Sequence, residues 1–323
     1  MTKLTRRALL AGLSVSIAAA VRADTGWPSH PITLVHGWPP GGPTDIVSRI
    51  VATGLSRRLG QPLVVDARPG AAGTTAAGHV ARAAPDGYTL IAIPGGHASA
   101  AALYQKLPYR TIEDFSLISM VAEHPFVLAT YPDNTIQSVA ELIAVARSRK
   151  TPLLYGTPGI GTTHHLLVEL LAQMVNVKFQ HVPYRGSAQV VTDLISKRLD
   201  FMVDPPTLLA NLVSERALRA LGVTGERRFF SLPDVPTISE AGVAGYAVTS
   251  WQGLAAPANL PASIVGRLNS EVAALLQEPA VIEQLRKVGN EPAPSSPDAF
   301  KDRVAADIEK WVGVVASANI ERI

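Results

Sequence analysis

One unit recurs along this chain and constrains its fold more than any other feature: a short β-rich run, a turn holding glycine, proline and a hydroxyl, then an amphipathic helical pattern. The β-rich runs are Ile32 to His36, Leu63 to Asp66, Tyr88 to Ile93, Phe126 to Thr130, Leu153 to Gly156, Phe179 to Val182, Phe201 to Val203 and Leu218 to Val223. Between them the spacing predicts helices over Asp45 to Leu59, Thr74 to Ala84, Ser138 to Ser148, Thr163 to Met174 and Ser187 to Lys197. Ser138 and Glu141 make a capping box ahead of an apolar stripe at Val139, Leu142, Ile143 and Ala146. Strands separated by helices imply parallel sheets covered on both faces, an α/β architecture. Past Pro261 the logic changes, because Ile264, Leu268, Val272, Leu275 and Leu276 recur at helical spacing with no strand after them. A last helix opens at Ser296 and Pro297 and turns Phe300, Val304, Ile308, Val312 and Val315 to one side. This tail is read as returning to the first of two domains, the number expected for 323 residues.

The formal charge of +3 suggests a nucleic-acid or membrane partner until its source is located. Residues 1–23 carry Lys3, Arg6, Arg7 and Arg22, an apolar stretch from Ala8 to Ala20 and a small-x-small site at Val21-Arg22-Ala23, which reads as a cleavable export signal. Thr5-Arg6-Arg7-Ala8-Leu9-Leu10 also resembles a twin-arginine signal. Removing these four cations from the 29 basic residues leaves 25 against 26 acidic ones, a net of −1, with no polybasic run, so no nucleic acid is expected as a partner. The uncharged stretches Gly87 to Gln105 and Ala241 to Gly266 are broken by Pro94-Gly95-Gly96 and by Pro257 and Pro261, which argues against membrane spans. Absence of cysteine removes disulfides, thiol catalysis and thiolate-bound metal.

Function is expected at the strand-to-helix turns, whose residues let backbone N–H groups converge on a small anion. In Gly37-Trp38-Pro39-Pro40-Gly41-Gly42-Pro43-Thr44-Asp45 the prolines stiffen the turn, and Gly41 and Gly42 permit backbone shapes and close approach forbidden to other residues. Gly156-Thr157-Pro158-Gly159-Ile160-Gly161-Thr162-Thr163-His164-His165 sets hydroxyls, glycines and imidazoles ahead of a helix, and Pro183-Tyr184-Arg185-Gly186-Ser187 ahead of another. Each taken alone also reads as plain turn chemistry.

Taken in order, several strings resemble the substrate-binding proteins of tripartite tricarboxylate transporters, the Bug family. They are Pro39-Pro40-Gly41-Gly42 with Asp45, Arg68-Pro69-Gly70-Ala71-Ala72-Gly73, Pro85-Asp86-Gly87-Tyr88-Thr89-Leu90, Val182-Pro183-Tyr184-Arg185-Gly186, Leu232-Pro233-Asp234-Val235-Pro236-Thr237 and Ser250-Trp251-Gln252-Gly253-Leu254. The resemblance implies a two-lobed periplasmic binding protein that closes like a flytrap, each lobe a mostly parallel sheet flanked by helices, joined by crossing hinge segments. Lobe 1 would comprise 24–124 and 247–323, and lobe 2 would comprise 125–246. It further implies a monomeric receptor, not an enzyme and without a cofactor, that presents a small organic acid to membrane transporter subunits; a carboxylate sensor signalling through a membrane partner is the alternative.

In that family, ligand carboxylates meet mainly backbone N–H groups, hydroxyls and bound waters. The matching positions are Gly41, Gly42, Thr44 and Asp45 in the first turn, Thr157, Gly159, Gly161, Thr162, Thr163 and His165 in another, and Tyr184 and Gly186 in a third, with Trp38, His97 and Asp204 also facing the cleft. Neutral donors at helix ends would stabilise an anion without desolvating a counter-charge. Asp45 either caps its own helix or meets ligand or ordered water. Asp204, at a strand end, would repel an acid unless water, a donor or a ligand amine intervenes. Arg68 and Arg185 either grip the carboxylate or hold their turns, and Trp38 and Tyr184 either stack on the ligand or pack the lobe edge. Departures from the family pattern include Trp38, Ala100-Ala101, Asp66-Ala67 and Ser196-Lys197-Arg198.

Other functions lack their residues. Gly159-Ile160-Gly161-Thr162-Thr163-His164 misses the third glycine of a dinucleotide loop, and no Gly-x-Ser-x-Gly elbow occurs. His164, His165 and His181 invite a metal site, yet neighbouring helical residues point roughly 100° apart.

Overall fold

The computed structural model describes residues 26–323, so the export signal read from residues 1–23 lies outside the described residues. The first lobe begins with β1 (Ile32–His36), α1 (Pro43–Leu59), β2 (Leu63–Ala67), α2 (Thr74–Val80), β3 (Thr89–Pro94), α3 (Gly96–Leu103) and β4 (Phe115–Pro125). The second holds β5 (Val127–Thr130), α4 (Val139–Ser148), β6 (Leu153–Thr157), α5 (Thr163–Val175), β7 (Phe179–Pro183), α6 (Ser187–Ile195), β8 (Phe201–Asp204), α7 (Pro206–Ser214) and β9 (Arg219–Val223). The chain then returns through β10 (Thr249–Pro257), α8 (Ala262–Leu275), α9 (Pro279–Lys287), β11 (Glu291–Pro292) and α10 (Pro297–Ser317).

Strand order is β11-β4-β10-β3-β1-β2 in the first sheet and β7-β6-β8-β5-β9 in the second. The mostly parallel sheets expected from the repeating unit hold only for β2, β1 and β3 and for β7, β6 and β8. Both sheets are mixed, because β4, β10, β5, β9 and β11 pair antiparallel. The cause lies in the crossings: β4 and β5 are one extended path separated only by Phe126, and β10 enters the first sheet after the second is complete.

Alternation along each central strand covers both sheet faces. Val35, Ile91, Trp251 and Ala255 join one core with α2, α3 and α10, while Leu34, Leu90 and Leu254 join another with α1, α8 and α9. In the second lobe Leu128, Tyr155 and Phe201 face α4 and α5, and Val127, Ala129 and Met202 face α6 and α7. The first of these cores runs through both lobes, carried by α10, whose Val314 carbonyl accepts from Gln173 Nε2 of α5 at 3.2 Å.

Local signals explain the element ends. Ser138 Oγ accepts from Glu141 N–H at 3.1 Å, but the Glu141 carboxylate reaches Gln137 N–H at 2.6 Å, one residue upstream of the reciprocal bond of an ideal capping box. Ser296 caps α10 by accepting from Ala299 N–H at 3.1 Å. The stripe of α10 differs from expectation at Val312, which is 47% exposed, while Trp311 and Val314 turn inward. Strand β10, unforeseen, is buried along nearly its whole length, and its Gly253 is required because an added Cβ would stand 2.1 Å from the Phe300 ring.

Thr224 joins the two crossings. Its Oγ1 accepts from Phe126 N–H at 2.8 Å and donates to the Val248 carbonyl at 2.6 Å, while its own N–H donates to the Phe126 carbonyl at 2.9 Å and its carbonyl accepts from Val248 N–H at 2.7 Å.

Candidate functional site

Between the lobes lies a cavity of about 310 Å³ at the C-terminal ends of the parallel strands, where ligands of open α/β sheets are held. The first lobe contributes the turn from Trp38 to Thr44, together with Pro94, Gly96, Ser250 and Gln252. The second contributes Phe126, Pro158, Thr162 to His164, Arg185 to Ala188, Asp204, Pro205 and Leu208, and His124 sits at the crossing. Most of the wall is apolar.

The β1–α1 turn is built by Asp45 from inside. Its Oδ1 meets His36 Nε2 at 3.0 Å, and its Oδ2 accepts from Gly41 N–H at 2.9 Å and from Arg49 Nε at 2.8 Å. Burial pushes the Asp45 carboxyl up, but Arg49, the Gly41 amide and His36 outweigh it and hold the pKa at about 2. Asp45 is therefore neither a cap nor a cavity-lining group; it anchors Gly41 within the turn. Gly41 sits at φ 76°, a conformation that favours glycine, whereas Gly42, at φ −79°, needs no such freedom. Gly42 is the residue that precedes the helix and offers no side chain, and Pro43 follows, so the first-turn amides of α1 have no side-chain cap.

Two more helices begin at the same cavity. α6 starts after Gly186, again without a side-chain cap. α5 is capped by Thr162, whose Oγ1 accepts from His165 N–H at 3.4 Å and donates to the Gly159 carbonyl at 2.9 Å. The Thr162 hydroxyl is thereby committed to its own turn. Its neighbour Thr163 keeps a buried hydroxyl with no partner among the described residues.

Several residues expected to face ligand stand one layer behind the wall. Thr157 Oγ1 pairs with His181 Nε2 at 2.6 Å and donates to the Gly159 carbonyl at 3.1 Å. His165 stacks on His181 with ring centres 4.0 Å apart, and its Nδ1 accepts from Gly161 N–H at 3.2 Å. Burial holds His165 near a pKa of about 4 and His181 near about 3, so both serve as neutral props. Tyr184 donates to Asp193 Oδ2 at 2.8 Å. His97 is buried, bonded through Nε2 to the Thr111 carbonyl at 2.9 Å and stacked on Tyr109, so it supports the first lobe behind Trp38. Arg68 pairs with Asp66 at 2.7 Å outside the cavity, while Arg185 lies exposed on its wall. Trp38, Gly41, Gly42, Thr44, Thr162, Thr163, Gly186 and Asp204 all line the cavity.

The cavity also gathers residues that the repeating unit did not mark. Among the described residues the fully buried Asp204 has no hydrogen-bond partner at either carboxylate oxygen, His164 none at either ring nitrogen and Gln252 none at Oε1. His164 Nε2 stands 3.6 Å from Asp204 Oδ2, beyond hydrogen-bond length. The His164 ring meets Phe126 edge-on, turned away from the His165–His181 stack. His124 is bonded to Asn290 Oδ1 at 3.2 Å, and burial lowers its pKa to about 4. Among the described residues no group of three or more His, Asp or Glu side chains is placed to hold a metal ion.

Residues 47–320 match the model of the tripartite tricarboxylate transporter family receptor. A Rhodopseudomonas palustris protein solved with adipate is 37% identical, with a TM-score of 0.87 over 92% of this chain and 100% of that one. The periplasmic binding protein BugD is 30% identical, with a TM-score of 0.83 over 91% of this chain and 99% of that one. MatC from Rhodopseudomonas palustris, with bound malate, is 32% identical, with a TM-score of 0.81 over 90% of this chain and 100% of that one.

Proposed function

Because the chain belongs to the tripartite tricarboxylate transporter receptor family, a family of periplasmic solute-binding proteins rather than enzymes, we propose that it closes its lobes over one small carboxylate and delivers it to a membrane transporter of that type. The observation that carries this reading is the meeting of helix N-termini from both lobes at one cavity, with α1 and α6 uncapped. Helix ends present unsatisfied N–H groups and a partial positive charge, which favour an anion. Such donors are neutral, so binding does not require a buried counter-ion to be stripped of water. In this reading the lobes, 24–124 with 247–323 and 125–246, hinge at the crossings around Phe126 and Thr224. Relatives with adipate and with malate make carboxylates the natural class to test.

A thermal-shift screen of mono-, di- and tricarboxylates tests it. At a concentration about 100 times Kd, a cognate acid adds about 2.7 kcal/mol of stability and moves the melting midpoint by a few degrees. A flat response across the whole set would sink the proposal. Uptake by cells lacking the receptor separates delivery to a transporter from sensing.

A further inference from the structure

The cavity holds one group whose charge opposes that of an acid ligand. Asp204, at the end of β8, is fully buried and lines the cavity with both oxygens unpartnered. Ionised, a carboxylate only accepts hydrogen bonds. His164, which shares the wall, stands 3.6 Å from it, too far for a hydrogen bond, and among the described residues neither of its nitrogens is hydrogen-bonded. Folded proteins leave few buried polar atoms unsatisfied, so such a concentration in one cavity marks groups reserved for an occupant. The helix ends of α1 and α6 ask for an acceptor, and Asp204 asks for a donor. A second carboxylate brought against Asp204 would set like charges a few ångströms apart in a low-dielectric space.

Resting on the carboxylate reading above, we infer that the ligand of this protein is an acid that also carries a hydrogen-bond donor, a hydroxyl or an ammonium group, and that Asp204 accepts from it. Asp204 is then the specificity-determining residue, and His164 and Thr163 complete the polar wall around the donor. Acids whose only polar groups are carboxylates fit this wall poorly.

Calorimetric titration of matched probes on the mature chain tests the inference. The sets are adipate against ω-hydroxyhexanoate and ω-aminohexanoate, terephthalate against para-(hydroxymethyl)benzoate, and propionate against lactate and alanine. Expected is a set in which a donor-bearing acid binds at least tenfold tighter than its partner, about 1.4 kcal/mol. Asp204→Asn, which keeps the shape but removes the charge, should erase that preference and raise affinity for the matching dicarboxylate. Partners lacking the donor that bind as tightly in every set would overturn the inference while leaving the carboxylate reading intact. A preference that survives in a folded Asp204→Asn protein would overturn the role of Asp204. Silence from all the probes would overturn both readings together, and the wild-type comparison stands even if the variant fails to fold.

Discussion

Asp45 shows how much of a binding turn is spent on holding itself together. Its carboxylate is shared among His36, Arg49 and the Gly41 amide, and its pKa of about 2 lies below the ordinary 3.8. A depressed carboxyl pKa contributes stability above the unfolded value that is lost as pH falls through the folded one. Asp45→Asn should therefore cost about 2 kcal/mol at neutral pH, with the deficit against wild type closing between about pH 4 and pH 2 in urea melts. A pH-independent deficit would place the effect in packing instead. Thr162 is a second case: its hydroxyl caps α5, so Thr162→Ala should lose about 1 kcal/mol of stability while changing ligand affinity little. Among the described residues Arg185 is the one arginine or lysine on the cavity wall, and under the proposed reading neutral donors at the helix ends make it dispensable. Arg185→Gln should lower affinity less than tenfold, with weak salt dependence; a hundredfold loss in a folded variant would give the guanidinium the central role. At this scale turn chemistry together with the family resemblance marked Gly41, Gly42, Thr163 and Gly186. The sequence could not reveal that His165, Thr157 and Tyr184 prop the wall from behind, because backbone spacing does not show which way a side chain faces. The divergence of His164 from His165, which argues against a shared metal, also sends His164 toward the cavity.

Among the elements, those that repeat were legible and those that cross were not. β1 runs from Ile32 to His36 as its alternation predicts, and α5 and α10 start at the hydroxyls that cap them. β4, β10 and α9 fit no strand-turn-helix unit, and α3 and α7, though they follow β3 and β8, carry no stripe that marked them in the sequence. Thr249-Ser250-Trp251-Gln252-Gly253 in particular has little of the β-branched composition of a strand, and burial between β3 and β4 overrides that weak propensity. Because His124, Ser250 and Gln252 ride on these crossing strands, their arrival at the cavity could not be foreseen. The crossings also suggest where motion is controlled. Thr224 ties Phe126 to Val248, and Thr224→Val would leave a buried N–H and a buried carbonyl unpaired. A stability loss on the order of 2 kcal/mol is expected, together with a shifted ligand affinity, since the proposed hinge passes through this bond. Unchanged affinity in a folded variant would move the hinge elsewhere.

Across the whole molecule, two mixed sheets share one continuous core through α10, yet the cavity divides its walls between them. That combination suits a receptor: the back of the molecule stays packed while the front opens and closes. In the proposed mechanism a small acid draws the lobes together, because it is held by helix-end amides of both at once only when the cavity is closed. Small-angle X-ray scattering, without and with a saturating acid that shifts the melt, measures this directly. The radius of gyration should fall on binding, with the open form dominant in the free protein; a radius that stays the same at saturation would contradict closure over a carboxylate.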